Sequence, residues 1–357
     1  MHILIAGSWR WPQYEAAFAR GLRESGAQVS ELSLDPFFTG LAGRVQGALP
    51  VGSPLAWRIG RTVIEAVERE KPDFVLFWRP THLLPETLRA LRAMGVSTIS
   101  YNNDDPFSPR LANEANWRAR NLWRLYNKAL LEFDFNYFYR PVNVGEARAR
   151  GARHADVLLP YFLPWNDRPV TLAPGEAAHF SADLVFTGHF EPDGRDGDLV
   201  ALTQAGMAVR VWGDDTWQQS ALAGWNAVPQ PIVRAMGEDY AKALAGAQIC
   251  LCYLSKLNRD GYTRRCFEIP AAGRVMLAER TPPLLAMFRE DEEACFFSSR
   301  EELIEKARWL MDDAALRTRI AEAGRARVWA DGRDVASTAR RFLEGLTALK
   351  PMLSERG

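Results

Sequence analysis

Short apolar runs alternate along this chain with longer stretches whose apolar positions recur every three or four residues. The first run, His2-Ile3-Leu4-Ile5-Ala6, shows no alternation and stops at Gly7-Ser8, which predicts a parallel core strand buried on both faces. Pro12 then sits near the start of a helix that Gly26 stops. The pattern continues with strands at 28–34, 73–78, 96–101 and 133–138. Helices fall between them at 57–70, 84–94 and about 111–131, with a short one opened by Pro141. Residues 35–54 are rich in Gly, Pro and Phe and read as a long loop, a feature that is often functional in compact domains.

The segment Tyr161-Phe162-Leu163-Pro164-Trp165-Asn166-Asp167-Arg168-Pro169 mixes breakers with aromatics and reads as a linker. Beyond it the pattern restarts. Asp183-Leu184-Val185-Phe186-Thr187-Gly188 repeats the opening strand-then-glycine signature. Strands at 208–212, 248–252 and 274–278 alternate with helices at 195–205, 237–246 and 264–272, and helices at 299–311, 313–329 and 334–349 close the chain. Strands alternating with helices make an α/β protein of two Rossmann-like, doubly wound domains. They are expected at 1–160 and 170–333, followed by a C-terminal helical segment at 334–357.

Composition narrows the function classes. The 357 residues carry 44 Lys plus Arg against 44 Asp plus Glu, so no diffuse attraction to nucleic acid is expected. No apolar stretch approaches the ~18 residues of a membrane span. The N-terminus lacks the basic start of a signal peptide, and a cytoplasmic setting is expected. Arg118-Ala119-Arg120-Asn121-Leu122-Trp123-Arg124 spaces cations along a helix; it reads as a solvated face, with peripheral membrane contact as the alternative. Cys250 and Cys252 share one face of a strand without flanking histidines and read as buried thiols, so no metal site is expected.

Candidate chemistry gathers at strand ends. Gly7-Ser8 and Gly188-His189 each follow a strand, where glycine lets a backbone approach an anion beside the next helix. The residues after the first strand are not G-x-G-x-x-G, and no Walker or G-x-S-x-G motif occurs. Trp9, Trp11 and Trp78 end or follow strands of the first half, where they pack in the core or offer stacking platforms. Asp193-Gly194-Arg195-Asp196-Gly197-Asp198 lacks the twelfth-position Glu of a calcium loop and reads as a polar turn before a helix. The densest run lies at 255–279. There Lys256, Arg259, Arg264 and Arg265 precede or open a helix, with Tyr262 among them, Thr263 as a capping candidate and Glu268 one turn inside. Cations at a helix start call for an anionic ligand, and a carboxylate there suits the two hydroxyls of a ribose.

The order Gly261-Tyr262-Thr263-Arg264-Arg265-Cys266-Phe267-Glu268-Ile269-Pro270-Ala271-Ala272-Gly273, then a strand, then Glu279-Arg280-Thr281-Pro282-Pro283-Leu284, resembles the C-terminal half of CgeB-like (spore-maturation-protein) glycosyltransferases. The likeness covers roughly 180–345; the first half matches loosely, through Tyr101-Asn102-Asn103-Asp104-Asp105-Pro106. It implies a GT-B fold, two Rossmann-like domains facing across a cleft, with the final helix crossing back to the first. The second domain would hold a nucleotide diphosphate sugar: Glu268 on the ribose, Arg264 or Arg265 on the diphosphate, Gly188 facing the phosphates. Metal-free transfer is expected, with cations stabilising the leaving group. For an inverting reaction, Asp104 is the first candidate base and His82 the second, while Gly7, Ser8 and Asp105 line the acceptor side. The acceptor hydroxyl, whether on a glycan, a protein or a small molecule, is unspecified. The competing readings are a nucleotide-sugar 2-epimerase of the same fold and a non-catalytic nucleotide-binding or assembly protein.

Overall fold

The computed structural model describes residues 1–39, 54–113 and 117–354, so most of the long loop read at 35–54 lies outside the described residues. Contacts divide the chain into two compact units, Met1–Leu159 with Val335–Gly357, and Pro160–Asp334.

The first unit is built on a six-stranded sheet of order β2-β1-β3-β4-β5-β6. Its strands are β1 (His2–Gly7), β2 (Gln28–Ser33), β3 (Phe74–Trp78), β4 (Ser97–Asn102), β5 (Phe135–Phe138) and β6 (Ala155–Val157). All neighbours run parallel. Strand β1 has no polar alternation because it lies between β2 and β3, with Ile3 opposite both Val29 and Phe74. Ile3, Leu4 and Ile5 are at most 1% exposed, and burying each contributes about 1.5–3 kcal/mol. The C-terminal helix Val335–Ser354 belongs to this unit and packs on the helix Glu15–Glu24. Phe342 meets Phe18 edge-on at 5.3 Å, and a Cβ on Gly21 would stand 2.8 Å from the Val335 carbonyl oxygen. Only glycine permits that approach of the two helices.

The second unit holds a five-stranded parallel sheet of order β11-β10-β9-β7-β8. Its strands are β7 (Ala182–Thr187), β8 (Val209–Trp212), β9 (Ala247–Cys252), β10 (Val275–Glu279) and β11 (Cys295–Phe297). The segment 161–169 differs from the linker reading: Tyr161, Phe162 and Leu163 are at most 5% exposed, and Phe162 bridges to Asp334. Tyr161 and Phe162 are core while Trp165 is exposed, and the breakers shape a turn within the unit. Strands β6 and β11, of three residues each, and the helices Pro174–Phe180 and Pro282–Met287 were not anticipated. They are too short to show a period. The helix expected at 111–131 is confined to Trp117–Ala129.

Strand order reverses between β1 and β3 in the first sheet and between β7 and β9 in the second. Crevices outside the carboxyl ends of strands at such switch points are where open α/β sheets bind ligands.

Candidate active site

In the second unit, Gly188 directly follows β7. Its N–H donates to the Trp212 carbonyl (2.8 Å), and its own carbonyl accepts from Trp217 Nε1 (2.8 Å). The backbone is thus committed to the sheet, and Gly188 contributes space rather than a free amide. A Cβ there would lie 2.9 Å from Phe186 Cζ and 3.3 Å from Arg265 Nη1. The missing side chain lets the Arg265 guanidinium reach the strand end, where it also lies over the Phe186 ring (5.7 Å to the centroid). Two residues 77 positions apart therefore meet at the switch point, and among the described residues Arg265 Nε has no hydrogen-bond partner.

Arg264 turns elsewhere. Its Nε donates to Glu268 Oε1 (2.8 Å), one helical turn on, and its guanidinium lies 5.1 Å over the Tyr161 ring. Glu268 is 8% exposed, and its Oε2 accepts from the Tyr240 hydroxyl (2.8 Å). Burial, then the charge of Glu268, raises the Tyr240 phenol well above its usual range, so it remains a donor. Asp167 completes the cluster, accepting from the Leu163 N–H (2.6 Å) and Asn166 Nδ2 (2.7 Å). Burial, then the Glu268 charge, pushes its carboxyl upward against the pull of Arg264. Each Glu268 oxygen, already holding one protein donor, keeps a further lone pair for a hydroxyl.

The other residues expected here are distributed as follows. Thr263 does not cap the helix Arg265–Ala271 with its hydroxyl; Arg264 is the N-cap, and the Thr263 carbonyl accepts from Cys266 N–H (3.0 Å). Lys256 is paired with Glu279 (2.5 Å) at the end of β10. Arg259 holds the loop in a left-handed conformation (φ 54°), and Tyr262 is 2% exposed. His189 Nε2 sits 2.9 Å from Glu191 Oε1. Burial alone would raise Glu191, but hydrogen bonds with His189 and Ser255 outweigh it and hold the carboxyl low.

Arg195 was not singled out from the sequence. It forks onto both Asp193 oxygens (2.8 and 2.6 Å) and donates to the carbonyls of His189 (3.1 Å) and Leu254 (3.3 Å), tying the loop after β7 to the end of β9. The polar turn read at 193–198 is therefore a brace for the strand ends. Among the described residues no group of His, Cys, Asp or Glu is arranged to hold a metal ion, and Cys250, Cys252, Cys266 and Cys295 are all buried free thiols.

In the first unit a cavity of about 430 Å³ opens at the β1/β3 switch point. Gly7, Ser8, His82 and Asp104 all line it, so four residues from three separate sequence segments come together. Glu15, the first residue of the helix Glu15–Glu24, fills the place beside the Gly7 turn: its Oε1 accepts from the Ser8 N–H (2.8 Å) and hydroxyl (3.3 Å). A Cβ on Gly7 would come within 2.5 Å of that oxygen. The turn read as an anion cradle thus already holds the chain's own carboxylate. Arg79, in a left-handed conformation (φ 55°), donates from Nε to Asp104 Oδ2 (2.6 Å). Such strain tends to gather at functional sites. His82 packs edge-on against Phe38 (5.0 Å), and burial, then the Arg79 charge, lowers it to about 4. It is neutral at pH 7 and a weak proton acceptor. Asp105 is not in the lining. It is 1% exposed, and its Oδ1 accepts from Phe107 N–H (3.0 Å) and Asn143 Nδ2 (2.8 Å), so it holds a turn before a proline and is withdrawn from the acceptor side.

No curated protein matches the chain. Residues 198–344 match a family model described as glycosyl transferase-like. Among solved structures, sucrose-phosphate synthase from Thermosynechococcus elongatus aligns over 99% of this chain and 100% of its own, at 12% identity and a TM-score of 0.70. Anabaena HepE in complex with UDP-glucose aligns over 98% and 100%, at 15% identity and a TM-score of 0.65. A Listeria monocytogenes protein provisionally described as a UDP-N-acetylglucosamine 2-epimerase aligns over 100% and 97%, at 12% identity and a TM-score of 0.58. The chain has the GT-B fold, and its glycosyl transferase-like match covers the segment that carries Arg265 and Glu268.

Proposed function

We propose that the protein is a glycosyltransferase that moves a sugar from a nucleotide diphosphate sugar to an acceptor hydroxyl. The observation that carries this is the meeting of Gly188 and Arg265 at the second switch point, one turn from Glu268. Arg265 neutralises the departing diphosphate, since a nucleoside diphosphate leaves with growing negative charge and a positioned guanidinium binds phosphate oxygens with directed hydrogen bonds. Glu268, steadied by Arg264 and Tyr240, accepts from the ribose hydroxyls. Of the two arginines, Arg265 serves phosphate and Arg264 serves the carboxylate.

Asp104 is the acceptor-side base on this reading, because His82 at about 4 is too weak. The glycosyl transferase-like match and the UDP-glucose-bound HepE support a transferase with a nucleotide-sugar donor. The sequence run Gly261–Gly273 supports a place near the CgeB-like group. A cytoplasmic setting accords with four free thiols, and no described helix is long and apolar enough to cross a membrane.

A thermal-shift screen of UDP, GDP, dTDP and CDP sugars identifies the donor, and proton NMR then follows that donor alone. The transferase reading expects slow hydrolysis to nucleoside diphosphate and free sugar with the configuration at C2 unchanged. Conversion of the donor to its C2 epimer would replace it with the epimerase, and the absence of any stabilising nucleotide would leave only the non-catalytic reading.

A further inference from the structure

We infer that the cavity of the first unit is a binding site for an uncharged, polyhydroxylated ligand with an apolar face, a neutral sugar ring, and that it rejects sugar phosphates. This deepens the transferase reading by naming the class of acceptor, and it rests on that reading only for the word acceptor. The charges of the lining come first. Arg10 is paired with Asp35 (2.7 Å) and Arg79 with Asp104 (2.6 Å), so both cations already face carboxylates. Glu15 is the remaining charged group and has no cationic partner among the described residues. His82 is neutral at pH 7. An anionic ligand would find no unpaired cation and would meet a surplus carboxylate.

The second observation is what the wall leaves unsatisfied. Glu15 is 2% exposed, and among the described residues its Oε2 has no hydrogen-bond partner. Asn103 Oδ1 and Trp78 Nε1, on residues of the same lining, also lack one among the described residues. Buried polar atoms without partners are uncommon, and three of them on residues that line one cavity give it a polar demand that hydroxyl groups can meet. Two acceptors and one donor complement a pair of hydroxyls and one ring or hydroxyl oxygen. The half-buried aromatics of the lining, Trp11, Tyr14 and Phe38, supply the apolar half for sugar C–H groups. The volume of about 430 Å³ lies in the range of small-molecule pockets, about 300–1,000 Å³. Glu15 acts here as a ligand-positioning residue. It is held by Ser8 on one oxygen and leaves the other for the ligand.

The test uses the full chain without donor. Saturation-transfer NMR and calorimetry are run with methyl and p-nitrophenyl glucosides, galactosides and mannosides, and with glucose 6-phosphate and mannose 6-phosphate. At least one neutral glycoside binds, both phosphates bind more weakly, and Glu15→Gln, which still accepts from Ser8, weakens the neutral ligand about tenfold. Trp78→Phe keeps an aromatic ring of smaller size, loses the N–H and weakens it a few-fold, with its melting temperature as the folding control. If Glu15→Gln fails to fold, Asn103→Ala carries the same expectation. Tight binding of the phosphates, no binding by any neutral glycoside, or unchanged affinity in the folded variants overturns the inference. A parallel titration with UDP keeps the two readings apart: UDP binding without glycoside binding sinks this inference alone, and glycoside binding without UDP binding sinks the nucleotide assignment alone.

Discussion

The turns after β1 and β7 are the same piece of architecture with opposite occupants. Each has a glycine ending a buried central strand beside a switch point. Next to Gly7 stands a carboxylate of the chain itself, Glu15, with an oxygen 2.8 Å from the Ser8 N–H. Next to Gly188 stands a guanidinium, Arg265, with a nitrogen 3.3 Å from where a Cβ would be. On the proposed reading, one turn turns an anion away and the other receives it. The two sheets share their connectivity, so the difference comes entirely from side chains delivered to the strand ends: function belongs to the site and not to the fold.

The largest effects should come from breaking the second region. Glu268→Ala strands Arg264 and the Tyr240 hydroxyl; it should cost about 3 kcal/mol in urea unfolding and weaken nucleoside diphosphate binding by about tenfold to hundredfold. Glu279→Ala releases the half-exposed Lys256, and its effect on nucleotide affinity should stay within about threefold. Equal losses of affinity in the two variants would contradict the ribose assignment.

That much of the second region was legible because its signals are local. A glycine after an apolar run, cations before a helix and a carboxylate one turn in can all be read within a few residues. What divides Arg264 from Arg265 is not local. It depends on Tyr161 and Tyr240, brought in from distant segments, and on the space over Gly188. The first region was harder. Asp104 and Asp105 are adjacent in sequence, yet Asn143 and the Phe107 amide draw Asp105 inward while Arg79 holds Asp104 in the cavity lining. Glu15 was missed, although an acid opening the first helix after a glycine turn is a signal that could have found it. The aromatic segment 161–169 misled because breakers mark turns inside a domain as readily as joints between domains.

A smaller effect sharpens the first region. Gly7→Ala pushes a methyl group onto Glu15, with Trp78 Cβ at 3.0 Å blocking retreat, and should lower the unfolding free energy by about 1–3 kcal/mol. Gly145→Ala, a helical glycine with nothing within 4 Å of its added methyl, should be neutral or slightly stabilising in the same assay. Similar destabilisation of both would remove the argument for a filled turn.

The smallest expected effect is His82. Its folded value of about 4 lies below its ordinary 6.5, so across that window the unfolded chain takes up a proton that the folded protein refuses. The group therefore makes stability rise with pH from about 4 to 6.5 and fall as the pH drops, by about 1 kcal/mol for a partly exposed ring. Urea midpoints of the natural chain and His82→Gln, compared at pH 4.5 and 6.5, should show a shallower pH dependence in the variant. Identical slopes would show that the ring is not shielded.

The central claim is that a diphosphate lodges against Arg265 at the end of β7. Isothermal titration of the best-binding nucleoside diphosphate into the natural protein, Arg265→Ala and Arg264→Lys tests it. The account predicts a loss of about a hundredfold in Arg265→Ala and a much smaller one in Arg264→Lys, which keeps the cation beside Glu268. Undiminished affinity in a folded Arg265→Ala would contradict it.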